Sequence, residues 1–483
     1  MNITERNLTL LCDFYELTMA RGYFHSDIKD KIAYFDVFFR KVPDGGGYAI
    51  CAGLEQIIEY IKSIKFEKDD IEYLRSKGVF DEEFLKYLES FRFTGDIWAV
   101  PEGTVIFPGE PIMTVRASAM EAQFIETFIL LIFNHQCLVA TKASRIVRAS
   151  QGRAVSEFGS RRAHGPDAAI YGARAAYIGG CASTACALSD KMFGVPAGGT
   201  MAHSWVQMFD SEYEAFKAYC QLYPKNPTLL VDTYNVLESG IPNAIKVFKE
   251  VLSAEERKHC AIRLDSGDIA YLTKKIRRIL DREGLNECRI VVSNSLDEFI
   301  IRDILTQGAC VDAFGVGERM ITSKSEPVFG CVYKLCAVED EKGTITPKIK
   351  ISENIVKITN PDFKKLYRFY SKDTGKAEAD LITVYDEVID TTKPYELFDP
   401  THVWKRKLME NYELREMLLP IFVNGECVYK SPSVSEIREN CRRELESMWE
   451  EVLRFENPHN YYVDLSQRLW DEKHMLLQSK GSK

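Results

Sequence analysis

Between residues 154 and 317 the chain repeats one pattern: a short apolar run that ends in a polar or glycine residue, followed by a stretch with helical spacing. The runs are AVSEFG at 154–159, TMAHSW at 200–205, TLLVDTY at 228–234, CAIRLDSG at 260–267, RIVVSN at 289–294 and VDAFGVG at 311–317. Ile269, Leu272, Ile276, Ile279 and Leu280 mark the plainest helix face between them. Strands without polar alternation are buried on both faces and need helices to cover them, so an α/β fold with a parallel sheet is predicted. The runs end at Ser160-Arg161-Arg162, His203, Asp232, Asp265-Ser266-Gly267, Ser293-Asn294, Gly315 and Gly317. In a β/α barrel such ends converge on one rim, whereas an open doubly wound sheet places ligands in a crevice. Six contributors favour the ring.

The flanks differ. Residues 1–135 read as an N-terminal α+β domain, with helices over Leu54–Ile61 and Phe80–Phe91 and short strands in WAVPEGTVIFPGEPIMTVRA at 98–117. Residues 136–345 form the expected barrel, and 346–483 a smaller C-terminal supporting domain with strands in 345–360 and a helix face at Ile437, Cys441, Leu445, Trp449 and Leu453. With 62 basic against 71 acidic residues the net charge is −9, which gives no global attraction to nucleic acid or anionic membrane. The longest apolar runs, such as FILLIF at 128–133, are too short to span a bilayer, and the N-terminus lacks a signal-peptide layout, so a cytoplasmic location is expected. The 13 cysteines form no CxxC pair, as expected of reduced thiols.

Among the strand ends, His203 follows two glycines that let a ligand approach the backbone, and suits proton or phosphoryl transfer; a structural histidine is the alternative. Asp232, Asp265 and Asp268 follow apolar strands, where a carboxylate is costly unless it binds Mg2+, arginine or hydroxyls. Arg161 and Arg162, with Lys142, Arg145 and Arg148 upstream, supply local positive charge for phosphate or else a solvated patch. Phe158 can stack on a planar ring or fill core. Gly315 and Gly317 let backbone N–H groups face a phosphate, although GVGERM is neither a dinucleotide fingerprint nor a P-loop. The chemistry is that of a barrel enzyme acting on phosphate esters, with transferase, aldolase and isomerase all open.

Seven strings in order narrow this: CDFYELTMARGY at 12–23, EFGSRRA at 157–163, GTMAHSW at 199–205, VDTYN at 231–235, RLDSGD at 263–268, SNSLDE at 293–298 and AFGVGERMIT at 313–322. Together they closely resemble the nicotinate phosphoribosyltransferase family. The resemblance implies a type II phosphoribosyltransferase-like barrel that joins nicotinate to 5-phosphoribosyl 1-pyrophosphate, releasing nicotinate mononucleotide and pyrophosphate in NAD salvage. It implies ATP as co-substrate, with His203 becoming a phosphohistidine, and Mg2+ served, possibly indirectly, by Asp232 and Asp265, which join His203 as the catalytic set. It places Arg161 near the phosphates and Gly315 and Gly317 in a phosphate-binding turn. Phe158 and Tyr15 are implied to sandwich the pyridine ring, Tyr15 coming from the second subunit of a homodimer. Thr184, Arg263, Ser293 and Asn294 complete the implied substrate-binding set.

Relatives that use nicotinamide carry an aspartate in the segment matching GGCASTACAL at 179–188, and here that segment holds no acid while Arg263 is available for a carboxylate. Nicotinate is therefore the expected substrate. Two departures from the family are visible: no glycine stands beside Thr184, and Glu318 occupies a position more often Thr or Gly, where it either repels phosphate, turns outward or helps hold Mg2+. A nicotinamide- or quinolinate-type transferase and a non-catalytic scaffold or sensor are the competing readings.

Overall fold

The computed structural model describes residues 6–481, folded as two compact units. The first gathers residues up to Leu138, Val328–Pro432 and the chain from Glu439 on. The second is Val139–Pro327 with Ser433–Arg438.

The first unit is built on a seven-stranded antiparallel sheet in the order Ile345–Pro347, Cys331–Glu339, Ile32–Phe39, Met113–Ser118, Asp96–Ala99, Leu419–Val423, Glu426–Cys427. Phe35 lies opposite both Leu335 and Val115, so an N-terminal strand pairs with a segment expected inside the barrel domain, and Asp96–Ala99 pairs with Leu419–Val423 from the C-terminal region. The N- and C-terminal regions, expected as separate domains, thus share one sheet. Local periodicity marks each strand but carries no record of a partner some hundreds of residues away. A second sheet orders Tyr412–Glu416, Lys364–Ser371, Ala377–Val384 and Val463–Leu465. Its interior holds Arg368, fully buried, bidentate to Asp380 at 2.8 and 2.6 Å and bonded to Glu444 at 3.0 Å. The 345–360 stretch differs from its all-strand reading, with a strand only over Ile345–Pro347.

The second unit carries the parallel sheet. Its strands are β1 (Ala154–Glu157), β2 (Ser183–Thr184), β3 (Thr228–Leu230), β4 (Ala261–Leu264), β5 (Arg289–Ser293) and β6 (Ala313–Val316), in the order β2-β1-β6-β5-β4-β3. All pairings are parallel. The helices between them bury one stripe each: Ile269–Arg282 turns Ala270, Thr273, Ile276 and Leu280 inward. Leu229, Leu230, Ile262 and Ile290 sit in the same apolar cluster as Ile276 and Leu280.

A closed barrel is not observed. β2 and β3 are sheet edges, and only a single bridge from Thr184 to Ala197 extends the sheet beyond β2. The reason lies in TMAHSW, expected as a strand: His203–Gln207 is instead a short helix. Trp205 donates its indole N–H to the Ala215 carbonyl at 3.1 Å, anchoring that helix on its neighbour. One helical run, Ala119–Ala149, is long and apolar enough to cross a membrane by length and composition, and 67% of its apolar window is buried inside the protein. All 13 cysteines are free thiols.

Candidate active site

Parallel register decides which side chains share a face. Ser156 lies opposite Ser183 and Gly315, Gly315 opposite Ser293, and Val291 opposite Arg263. Since residues i and i+2 point the same way, Ser156, Ser183, Gly315, Ser293 and Arg263 occupy one face, with Glu157 and Thr184 on the other. The first face is small and polar, leaving room that Arg263 crosses. Its guanidinium carbon stands 5.5 Å from the centroid of the Phe158 ring. Nε donates to Ser293 Oγ at 2.9 Å, Nη2 to Asp265 Oδ1 at 2.9 Å, and Nη1 to Thr200 Oγ1 at 3.1 Å. Ser293 Oγ in turn donates to the same Asp265 oxygen. The arginine is therefore held by four strand-end or loop groups before any ligand arrives.

Asp232 follows β3 and is buried. Its Oδ2 accepts from the Asp265 backbone N–H at 2.9 Å and from Ser266 Oγ at 2.6 Å, tying the ends of β3 and β4 together. Its Oδ1 is buried without a partner among the described residues. An orphaned carboxylate oxygen is costly in a dry site and fits a cation or a donor from a ligand. Among the described residues no three His, Cys, Asp or Glu side chains cluster as a metal cage. The residues present fit Mg2+ only in its usual mode, with one or two carboxylates and the rest of the shell from phosphates and water. Asp232 offers a free oxygen for it, whereas Asp265 Oδ1 is already engaged by Arg263 and Ser293.

His203 stands at the first position of its short helix, and Nδ1 shares a hydrogen bond with Thr233 Oγ1 at 3.1 Å. Thr233 follows Asp232 directly, so the histidine and the orphaned carboxylate are linked through one turn. Asn294 and Ser295, just past β5, hold φ of 84° and 50°, a left-handed turn that non-glycine residues adopt at a cost. The outlying φ values put strain where the strand end meets the cleft.

Both glycines are required by Phe158. A Cβ on Gly315 would lie 2.5 Å from the Phe158 ring, and one on Gly317 2.9 Å from the Phe158 carbonyl oxygen. The turn after β1 is further fixed by the Phe158 N–H donating to the Val316 carbonyl at 2.8 Å. Arg161 is exposed on the short helical turn Ser160–Arg162 and makes no ion pair among the described residues. Ser160 Oγ is buried there without a partner among the described residues.

Several expected site residues have other work. Lys142 and Arg145 are not available to phosphate: both are buried against Glu298, at 2.9 Å each. Asp268 is the cap of Ile269–Arg282, accepting from the Tyr271 N–H at 2.9 Å. Thr184 is fully buried, with its hydroxyl donating to Glu157 at 2.7 Å and accepting from the Cys186 N–H at 3.0 Å. Glu318 turns outward to Lys324 at 2.7 Å, a pairing that holds its carboxyl below the ordinary range. With Arg162 and His164 it lines an open hollow of about 380 Å3. Tyr15 belongs to the first unit, exposed on the helix Phe14–Phe24, where partial burial and then Glu126 push its phenol upward. Residues that the sequence reading missed are Ser156, Glu157, Ser183, Thr200 and Thr233. Counting back in twos from Phe158 finds Ser156, but the two-residue strand that brings Ser183 and Thr184 beside it is too short to show a period.

A parallel sheet whose strand ends bring together an arginine, two aspartates and a ring-seating glycine, with a histidine bonded to Thr233 beside them, is the arrangement of an α/β enzyme. The comparisons give that class its family. The N-terminal domain model of nicotinate phosphoribosyltransferase matches residues 10–134, and the C-terminal domain model matches 363–473. Nicotinate phosphoribosyltransferase of Bacillus subtilis is 42% identical over 467 residues, 97% of this chain and 94% of that protein. The pncB2 nicotinate phosphoribosyltransferase of Mycobacterium tuberculosis is 37% identical over 98% of this chain and 94% of its own. Human nicotinic acid phosphoribosyltransferase superposes with a TM-score of 0.84 at 26% identity, covering 96% of this chain and 99% of that one. This chain belongs to the nicotinate phosphoribosyltransferase family.

Proposed function

We propose that the chain transfers the phosphoribosyl group of 5-phosphoribosyl 1-pyrophosphate to nicotinate, giving nicotinate mononucleotide and pyrophosphate for NAD salvage. The observation that carries this is the pre-held guanidinium of Arg263 over the Phe158 ring. A pyridine ring stacked on Phe158 brings its carboxylate to a cation already oriented by Asp265 and Ser293, and a charge-assisted bond to that carboxylate is stronger than one to a neutral amide. The same preference disfavours nicotinamide, for which the 179–188 segment offers no acid. A diacid such as quinolinate needs further convergent cations, and Arg263 is the basic group near the carboxyl end of that register face; Arg289, at the opposite end of β5, donates to the His259 carbonyl.

The nucleophile is the pyridine nitrogen. Its lone pair forms the new bond to the anomeric carbon as the carbon–oxygen bond to pyrophosphate breaks, leaving positive charge on ribose and ring and negative charge on the leaving group. Alignment and water exclusion are the main tasks of the protein. Phe158 and, from a second copy of the chain, Tyr15 hold the ring, and Asn294 and Ser293 lie at the strand-end turn that would face the ribose. Arg161, exposed and without an ion pair among the described residues, would reach phosphate, as would the backbone N–H groups after Gly315 and Gly317. Asp232, with Asp265 beside it, would hold Mg2+, which would supply countercharge to the departing pyrophosphate. His203 takes the γ-phosphoryl group of ATP on a ring nitrogen, releasing ADP. Hydrolysis of that phosphohistidine after transfer couples ATP to turnover. The exposed Phe14, Tyr15 and Met19 support a homodimer in which this helix meets a second copy.

Product analysis with nicotinate and nicotinamide, each with and without ATP, tests the reading. Nicotinate mononucleotide formed from nicotinate, and stimulated by ATP, is expected; preference for the amide, or no product from either, overturns it. Label from [γ-32P]ATP is expected on the wild-type protein and not on His203→Ala. Equal labelling of both removes the phosphohistidine.

A further inference from the structure

Glu157 takes no part in the chemistry above, yet it is the most completely buried carboxylate beside the site. It ends β1 immediately before Phe158, and its side chain is 0% exposed. The alternation along β1 turns it to the face opposite Arg263, away from substrate. No lysine, arginine or histidine pairs with it among the described residues. Its charge is met by hydrogen bonds alone: one oxygen accepts from the Gly159 backbone N–H, the other from Thr184 Oγ1 at 2.7 Å. Burial pushes the carboxyl upward, and these two donors work against that.

The position of those donors gives the carboxylate a role. Gly159 is the residue after Phe158, and Thr184 ends the neighbouring strand β2. The clamp is tight: a Cβ on Gly159 would lie 2.8 Å from Glu157 Oε1 and 2.7 Å from Ile321, so the turn has no slack on that side. The Ala185 N–H donates to the Glu157 carbonyl at 2.8 Å, closing the same joint from the backbone. Phe158 is therefore held by the Val316 carbonyl that takes its N–H, by Gly315 against the Cδ2–Cε2 edge of its ring, and by the next residue, Gly159, whose N–H the Glu157 carboxylate clamps. An unpaired carboxylate is a poor way to fill a dry space, because a similar apolar residue avoids the desolvation. It is a good way to fix two donors from different strands at once.

Resting on the nicotinate reading, we infer that Glu157 is a positioning residue: by bridging Thr184 and the Gly159 N–H across the back of the sheet it sets the plane of the Phe158 ring on which the pyridine stacks. Thr184, buried and with its proton committed to Glu157, acts in the same bridge and does not touch substrate.

Steady-state kinetics of Glu157→Leu, Glu157→Gln and Thr184→Val provide the test. Leucine removes both acceptors and should raise the KM for nicotinate about tenfold while that for the phosphoribosyl donor moves less than about twofold, the size of one lost positioning contact. Glutamine should restore the nicotinate KM to within about threefold of wild type, its carbonyl accepting from Gly159 and its amide donating to a rotated Thr184 hydroxyl. Thr184→Val, which keeps the volume, should show the same split at smaller size, and should add nothing to Glu157→Leu in a double-mutant cycle. Equal rises in both KM values, or no rescue by glutamine, overturns the inference. If Glu157→Leu fails to fold, the valine variant carries the same comparison. If wild type makes no nicotinate mononucleotide, the functional reading fails instead. The crystal structures of the variants then decide the geometry on their own, since a Phe158 ring left in its wild-type plane in Thr184→Val and Glu157→Leu also overturns it.

Discussion

Gly315 shows how a neighbour, rather than its own backbone, can dictate a residue. Its φ is not in the left-handed region, so the backbone tolerates alanine, but the added methyl would meet the Phe158 ring at 2.5 Å. Gly315→Ala should therefore displace the ring, cost roughly 1–3 kcal/mol as an overpacking change, and raise the KM for nicotinate, read by denaturant unfolding and kinetics together. Arg263 is the converse case, where removal leaves Asp265 and Ser293 intact but without their cation. Arg263→Ala should raise the nicotinate KM by at least tenfold and the donor KM much less; equal effects would take Arg263 out of the pyridine site. The strand-end positions of Asp232 and Asp265 were legible because carboxylates seldom follow apolar runs without a partner, whereas His203 sits on a short helix and Arg263 within its strand. The roles of Lys142, Arg145 and Asp268 were not, because a buried ion pair and a helix cap use the same residue types as a phosphate site.

At the scale of elements, Asp268 tests the distinction between cap and rim. Asp268→Ala should lower stability by ~1 kcal/mol through loss of the Ile269–Arg282 cap, with kinetic constants little changed. Glu298 is the harder change: its removal leaves Lys142 and Arg145 buried without their acid, so Glu298→Ala should cost about 3–5 kcal/mol by thermal or denaturant unfolding. Five of the six apolar runs hold the strands of the parallel sheet, since period and flanking residues are local properties. TMAHSW failed because Trp205 and Val206 pack on the following helix, a tertiary contact that overrides a short apolar pattern. β2, with two residues, lay below any periodic signal.

The whole molecule adds what no local pattern holds: the joining of distant segments and the titration of what they bury. Asp464, in the strand Val463–Leu465, has its carboxyl raised to about 7 by burial and then by Asp399. A folded value above the unfolded one means that the native state holds the proton longer. Stability from this group is present below the unfolded range near 4 and is lost as pH rises to about 7. Asp464→Asn should remove that loss, so the Tm of the variant relative to wild type should climb between pH 4 and pH 7; a constant difference would contradict the assignment.

The interleaved sheet also bears on how the protein is made. A ribosome releases Ile32–Phe39 and Met113–Ser118 early, but Cys331–Glu339, the other neighbour of Ile32–Phe39, comes only after the whole contiguous Val139–Pro327 stretch has emerged. The parallel-sheet unit can therefore mature on the nascent chain while the N-terminal strand still shows one bare hydrogen-bonding edge, and chaperone protection of that edge during translation is the natural corollary.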